Sequence, residues 1–127
     1  MKRFLSIIIL LTLLVGCGAG VTQNEYQEIS QDDAKRMMEE QSVIVLDVRE
    51  QSEYDSGHIP DAVLLPVGTI NADTAADVIT SKDSVVLVYC RSGNRSKIAS
   101  QALADLGYSN VYEFGGISTW QYDIEID

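Results

Sequence analysis

The sequence predicts a single α/β domain built on a parallel sheet with helices on both faces, and three observations lead there. Two segments, Val43-Ile44-Val45-Leu46-Asp47-Val48 and Val85-Val86-Leu87-Val88-Tyr89, are nearly continuous aliphatic runs without polar alternation, the pattern of strands buried on both sides. A stretch with helical periodicity follows the second run and precedes another short apolar segment, and parallel strands need a crossover long enough for a helix. The chain has 127 residues, the length of one domain of roughly 100 to 150 residues rather than two. Its 46% hydrophobic and 22% charged content is that of a chain able to build a core.

At the N-terminus, Lys2 and Arg3 precede an apolar-to-neutral run from Phe4 to Val15 that ends in Gly16, Cys17 and Gly18. That is the shape of a secretory signal peptide, and the run is shorter than the roughly 20 residues that span a bilayer. Leu14-Val15-Gly16-Cys17 resembles a bacterial lipobox, in which the Cys becomes the lipidated first residue. The expected organisation is a signal peptide over 1–16, a lipid-bearing tether over 17–26 and the domain over 27–127. The expected location is the bacterial cell envelope, outside the cytoplasm, with membrane contact through lipid on Cys17. A short anchor that is never cleaved is the alternative. A lipidated Cys17 cannot pair with Cys90, so Cys90 is expected to be a free thiol.

Within the domain, Gln27 to Ile29 is a weak first strand. Ser30 with Asp33 three residues later forms a capping-box-like start, and Ala34, Met37 and Met38 follow at helical spacing, predicting a helix over about Ser30 to Gln41. The two long runs supply the central strands, with shorter ones at Ala62 to Leu65 and Val111 to Phe114. Between them, Asn94 to Leu106 reads as a helix with Ile98, Ala99, Ala102, Leu103 and Leu106 on its apolar face, stopped by Gly107 in the C′ position.

Charge excludes one class of partner. Nine basic residues against 19 acidic ones leave a net charge of −10, the reverse of the basic face that tracks a nucleic-acid backbone. Three of those nine cations, Arg91, Arg95 and Lys97, nevertheless fall just after the strongest strand. Ligands of open parallel sheets sit outside the carboxyl ends of the strands, which points to Asp47-Val48-Arg49 and to Cys90-Arg91-Ser92-Gly93-Asn94-Arg95-Ser96. The second segment runs from a strand end into a helix start, where successive N–H groups form an anion cradle, and Gly93 allows the positive φ such a loop needs. Cations and a helix N-terminus both favour the thiolate of Cys90 over its thiol.

The Cys90 to Ser96 segment resembles the active-site loop of rhodanese-like sulfurtransferases. Asp47-Val48-Arg49 with Glu53-Tyr54 and Gly57-His58-Ile59-Pro60-Asp61-Ala62 is similar to that family's N-terminal signature, and Gly115-Gly116-Ile117-Ser118-Thr119-Trp120 to the one near its C-terminus. The three occur in the family's order and the likeness spans about residues 27 to 122. The resemblance implies a five-stranded parallel sheet flanked by helices, and a mechanism in which Cys90 takes a sulfane sulfur, becomes a persulfide and passes the sulfur on. It implies no cofactor. The donor would be a small anion such as thiosulfate, or a persulfide. The acceptor would be a thiol or cyanide, with a protein acceptor a further candidate. Arg91 and Arg95 would orient the donor, and the backbone from Arg91 to Ser96 would hold the persulfide. Glu53 stands where some two-domain thiosulfate-using members carry a basic residue, which weighs against thiosulfate. Asp61 stands where the family often has Gly.

The remaining residues read as structural. Asp47 and Arg49 are expected to pair and fix the strand end, His58 to make structural hydrogen bonds in its turn, and Tyr89 and Trp120 to lie in the core. One His and two separated Cys offer no metal-chelating set. Two other functions compete: a non-catalytic docking module of the same fold, which commonly lacks the Cys, and a cysteine phosphatase. The loop here is one residue shorter between Cys and Arg than a phosphatase requires, and the sequence has no Cys-x-x-Cys pair for dithiol chemistry.

Overall fold

The computed structural model describes residues 24–127. The expected signal peptide, the lipid site at Cys17 and the tether up to residue 23 lie outside the described residues. Among the described residues no helix is long and apolar enough to cross a membrane.

Five strands, β1 (Gln27–Glu28), β2 (Ile44–Asp47), β3 (Val63–Leu64), β4 (Val85–Cys90) and β5 (Asn110–Gly116), form one parallel sheet in the order β1-β5-β4-β2-β3. Between them run α1 (Gln31–Glu40), α2 (Gln51–Asp55), α3 (Ala72–Val78) and α4 (Asn94–Asp105), with 3-10 turns at Val67–Thr69 and Ile117–Thr119. The two uninterrupted aliphatic runs became the central pair, β2 beside β4, because only a strand covered on both faces can be apolar at every position. Successive side chains leave a strand on opposite sides. Leu46, Val86, Val88 and Val111 therefore pack on one face with Ala75, Ala99 and Leu103 of α3 and α4. Val45, Leu87, Tyr89 and Phe114 pack on the other with Ala34 of α1 and Trp120. Each large aliphatic side chain buried this way contributes about 1.5–3 kcal/mol. Tyr26, at the end of the expected tether, packs partly buried against the first of these faces.

Both ends of the long helices follow from local chemistry. Ser30 caps α1 by accepting the Asp33 N–H at 3.0 Å. Gly107, at φ 99°, ends α4 in a Schellman arrangement: its N–H reaches the Ala104 carbonyl and that of Tyr108 reaches Leu103.

One expectation for α4 needs correction. Ile98 does not join the apolar face; it is 64% exposed, whereas Ser96 and Ser100 are fully buried beside Ala99 and Leu103. The helix is rotated so that Ser96 points inward at its first turn, and positions 99, 100 and 103 then follow onto the inner face at helical spacing. Ile98 is carried outward.

The topology places the site. From β2 the chain moves outward to β3, and from β4 it moves the opposite way to β5. The carboxyl ends of β2 and β4 thus flank the point where the winding reverses, the usual ligand crevice of an open α/β sheet.

Candidate active site

β2 ends in a buried ion pair. Asp47 is fully buried and Arg49 is 5% exposed. The Asp47 carboxylate accepts from the Arg49 backbone N–H at 3.0 Å, from Nε at 3.0 and 3.1 Å and from Nη2 at 2.7 Å. It also accepts the Tyr89 hydroxyl at 2.6 Å, and that hydroxyl accepts the Ile59 N–H at 3.0 Å. Burial and the adjacent carboxylate push the Tyr89 phenol far above its ordinary range. Arg49 also donates to the Gly57 carbonyl at 2.7 Å. A charge pair this enclosed is tolerable because both carboxylate oxygens of Asp47 and the Nε and Nη2 groups of Arg49 are hydrogen-bonded. The result ties β2, β4 and the 57–59 turn together below the site.

His58 belongs to the same turn. Its ring stacks on Tyr54 with centroids 3.8 Å apart, Nδ1 lies 3.0 Å from the Tyr54 carbonyl oxygen, and its backbone forms a bridge with Glu125. Nε2 lies 3.8 Å from a Glu125 carboxylate oxygen and 3.7 Å from one of Asp127. These contacts hold the C-terminal segment against the domain.

Cys90 closes β4, is 1% exposed and is a free thiol. The loop after it curls back so that the Gly93 N–H donates to Sγ at 3.0 Å. Gly93, at φ 103°, is the residue on which that reversal depends, because the left-handed region is open to glycine at little cost. Ser96, on the first turn of α4, places its hydroxyl 3.3 Å from Sγ. Burial pushes the Cys90 thiol up. The Ser96 hydroxyl and the N–H groups of Ser96, Gly93 and Ser92 outweigh it and hold the thiol below its ordinary value. A cradle of N–H dipoles at a helix start thus favours a sulfur anion at this point.

The basic cluster of the sequence is dispersed in space. Arg95 is bound through two hydrogen bonds, 2.6 and 2.9 Å, to the two oxygens of Glu53. Its guanidinium brings that carboxyl down to about 2. Lys97 turns toward Glu28 at 3.7 Å. Arg91 is exposed and lines a cleft of about 520 Å³ together with Arg49, Ser52, Glu53, Ser56, Ile117 and Ser118. Ser92 and Asn94 are exposed. Cys90, 1% exposed, is not among the residues that line this cleft.

Two contributions are not legible in the sequence: the part played by Gly116, although it belongs to the C-terminal motif, and Glu113. Gly116 stands where a Cβ would lie 2.0 Å from the Arg91 carbonyl oxygen and 2.5 Å from the Ser92 nitrogen. The bare backbone of β5 lets the Cys90 loop rest on it, and the Ser118 N–H donates to the same Arg91 carbonyl at 3.1 Å. Glu113, 3% exposed, accepts the Ser96 hydroxyl at 2.7 Å and the Gly115 N–H at 2.8 Å. The sequence signal for it was an acidic residue two positions after Val111 on a strand, hence on the same face.

Residues 30–123 match the family model for the rhodanese-like domain. The chain belongs to the rhodanese-like family. It is 31% identical to the thiosulfate sulfurtransferase GlpE of Coxiella burnetii over 76% of this chain and 88% of that one. It is 36% identical to a sulfurtransferase of Allochromatium vinosum over 72% of this chain and 83% of that one. Among solved structures, a rhodanese-related protein from Thermoplasma volcanium superposes with a TM-score of 0.67 at 28% identity, covering 80% of this chain and all of that one. The five-stranded parallel sheet and flanking helices of this rhodanese-like domain are those implied by the three sequence motifs. Among the described residues no cluster of three His, Cys, Asp or Glu side chains could hold a metal ion.

Proposed function

We propose that this protein is a sulfurtransferase that moves a sulfane sulfur through a persulfide on Cys90. The observation that carries the reading is the thiol itself: a buried Sγ receiving a backbone N–H at 3.0 Å inside a loop of converging donors, favoured toward thiolate despite burial. The family membership and the relatives named as sulfurtransferases support it. In the first half-reaction the Cys90 thiolate attacks the terminal sulfur of the donor, the donor's S–S bond breaks, and the remainder leaves with the bonding electron pair, as sulfite if the donor is thiosulfate. In the second, a thiolate or cyanide attacks the outer sulfur of the persulfide, the bond to Sγ breaks and the Cys90 thiolate returns. The N–H groups that favour the thiolate are placed to receive the terminal persulfide anion.

Arg91, exposed on the cleft, supplies positive charge to attract an anionic donor. Arg95 is neutralised by Glu53, which favours donors with less negative charge than thiosulfate, including persulfides. The same pairing argues against phosphate chemistry, because the guanidinium that would grip a phosphate is occupied. The protein acts at the cell envelope, exported through residues 1–16 and held by lipid on Cys17; this part of the proposal rests on the leader and lipobox pattern alone.

Mass spectrometry of the Cys90 peptide after exposure to thiosulfate or a persulfide should show one added sulfur that cyanide removes, and Cys90→Ser should abolish transfer. A protein that forms no Cys90 persulfide with either donor would instead be a docking module. Membrane fractionation tests the anchor: Cys17→Ser should release the protein, and retention of that variant in the membrane would indicate an uncleaved anchor.

A further inference from the structure

Glu113 is a buried carboxylate that the sulfur-transfer steps leave unused. It lies on β5, and its Oε1 accepts the Gly115 N–H at 2.8 Å and the Ser96 hydroxyl at 2.7 Å. Other charged groups around the Cys90 loop are paired: Arg95 of α4 with Glu53 of α2, Arg49 with Asp47 at the end of β2, and Lys97 of α4 with Glu28 of β1. Arg91 lines the cleft, and among the described residues no cation lies within 4.0 Å of Glu113. Ser96 has one hydroxyl hydrogen and several claimants for it. Its Oγ lies 2.7 Å from Glu113 Oε1, 2.9 Å from the Gly93 carbonyl oxygen and 3.3 Å from Cys90 Sγ. The carboxylate is the nearest acceptor oxygen and the charged one, so while Cys90 is a thiol the hydrogen points to Glu113 and the S–H donates to Ser96. A thiolate has no hydrogen to give, and it must draw the serine hydrogen away from Glu113.

We propose that Glu113 restrains the ionisation of Cys90 by competing with its sulfur for the single hydroxyl hydrogen of Ser96. The N–H groups of the loop favour the thiolate, and Glu113, on the far side of Ser96, sets how much the serine adds to them. No proton passes between Glu113 and Cys90. Glu113 touches neither donor nor acceptor and acts through Ser96; it is a positioning residue. The consequence for catalysis rests on the sulfur-transfer reading. Once ionised, a thiol of higher pKa attacks a sulfur donor harder, but it leaves its persulfide more slowly. Glu113 therefore strengthens the attacking thiolate and slows its departure.

The pH profile of Cys90 alkylation by iodoacetamide, read by mass spectrometry on the Cys90 peptide of the full-length protein, tests this without a sulfur donor. Glu113→Gln keeps an oxygen that accepts from Ser96 and Gly115, but as a neutral and weaker acceptor. Its midpoint should fall by about one pH unit, which gives roughly tenfold more thiolate at any pH well below the midpoint. The alkaline limit should fall roughly threefold, because nucleophilicity declines with the pKa of the thiol, and release of sulfur from a preformed Cys90 persulfide to cyanide should quicken. Ser96→Ala takes the hydrogen away from the thiolate and should raise the midpoint. In that background Glu113→Gln should shift the midpoint by less than about half as much as it does in the parent. An unchanged or raised midpoint in Glu113→Gln would reduce the carboxylate to a brace for Gly115 and overturn the proposal. A lowered midpoint in Ser96→Ala would overturn it too, since the serine would then only accept from the thiol. Equal Glu113→Gln shifts in both backgrounds would assign the effect to charge alone, which removes the competition for the hydrogen. The expected alkylation shifts in a protein that forms no persulfide would uphold the restraint and remove the sulfur-transfer reading.

Discussion

Arg95 is clamped by Glu53 through two near-parallel hydrogen bonds across 42 positions of sequence, so the loop's most suggestive cation is matched by a carboxylate on the opposite wall of the site. The thiol of Cys90 consequently owes its low value chiefly to the Ser96 hydroxyl and to backbone N–H groups, not to a cloud of arginines. This inverts the emphasis that the sequence invites.

Releasing Arg95 should widen donor choice. Glu53→Gln removes one negative charge from the cleft, and a unit charge acting at about 4 Å through solvent is worth about 1 kcal/mol. The KM for thiosulfate should fall roughly fivefold, with a smaller change for a neutral donor. Steady-state kinetics with both donors check this. Equal changes for the two would remove the pair from the donor's path.

The same pair should be visible in acid stability. The Glu53 carboxyl is held at about 2 against an ordinary 4.5, a depressed value, so its contribution is complete above the unfolded value and disappears as pH falls toward 2. Both side chains are partly exposed, and screening limits the effect to on the order of 1 kcal/mol. Urea unfolding of the parent and Glu53→Gln proteins should differ at pH 6, with the gap shrinking below pH 4.5 and closing only as the pH falls through about 2. A gap that persists in acid would assign the difference to packing rather than charge.

Gly116→Ala should displace the Cys90 loop, because the new methyl would overlap the Arg91 carbonyl. A backbone shift of this kind costs about 1–3 kcal/mol and should depress persulfide formation more than it depresses stability. Gly68→Ala, where nothing lies within 4 Å, is the control and should leave both unchanged. Thermal melting and the Cys90 mass shift read the two effects separately.

Asp61 lies at φ 66°, the one left-handed non-glycine residue among those described. The frequent Gly of the family suits that conformation, and Asp is one of the few side chains that tolerate it. Asp61→Gly should be neutral or stabilise by up to about 1 kcal/mol, and Asp61→Val should destabilise by about 1–2 kcal/mol. Urea midpoints of the two variants in the opposite order would show that the side chain, not the backbone angle, governs this turn.

Much of the architecture was legible in short windows of sequence. The runs at Val43 to Val48 and Val85 to Tyr89 announced buried strands, Ser30 with Asp33 announced the start of α1, and Gly107 its counterpart at the end of α4. Each signal arises from the residues it describes, through the period of the backbone or the needs of a helix end. The motif order then pointed to Cys90 and its loop. The same local logic failed at Ile98, because the apolar pattern of α4 was outweighed by the requirement that Ser96 face the sulfur.

What the sequence alone determined was therefore the fold class, the two strand ends that make the site and the identity of the thiol. The tertiary structure decided which charges meet. Glu53 reaches Arg95 because β2 and β4 are neighbours although α2, β3 and α3 intervene in the chain. Glu113 reaches Ser96 because the parallel register of β4 and β5 sets Val88 beside Glu113 and Cys90 beside Gly116. Such pairings depend on crossovers and register, and no window of neighbouring residues contains them. Electrostatic and hydrogen-bond partners act over a few ångströms of space, so only the folded sheet determines whether a charge meets a counter-ion, a hydroxyl or a sulfur.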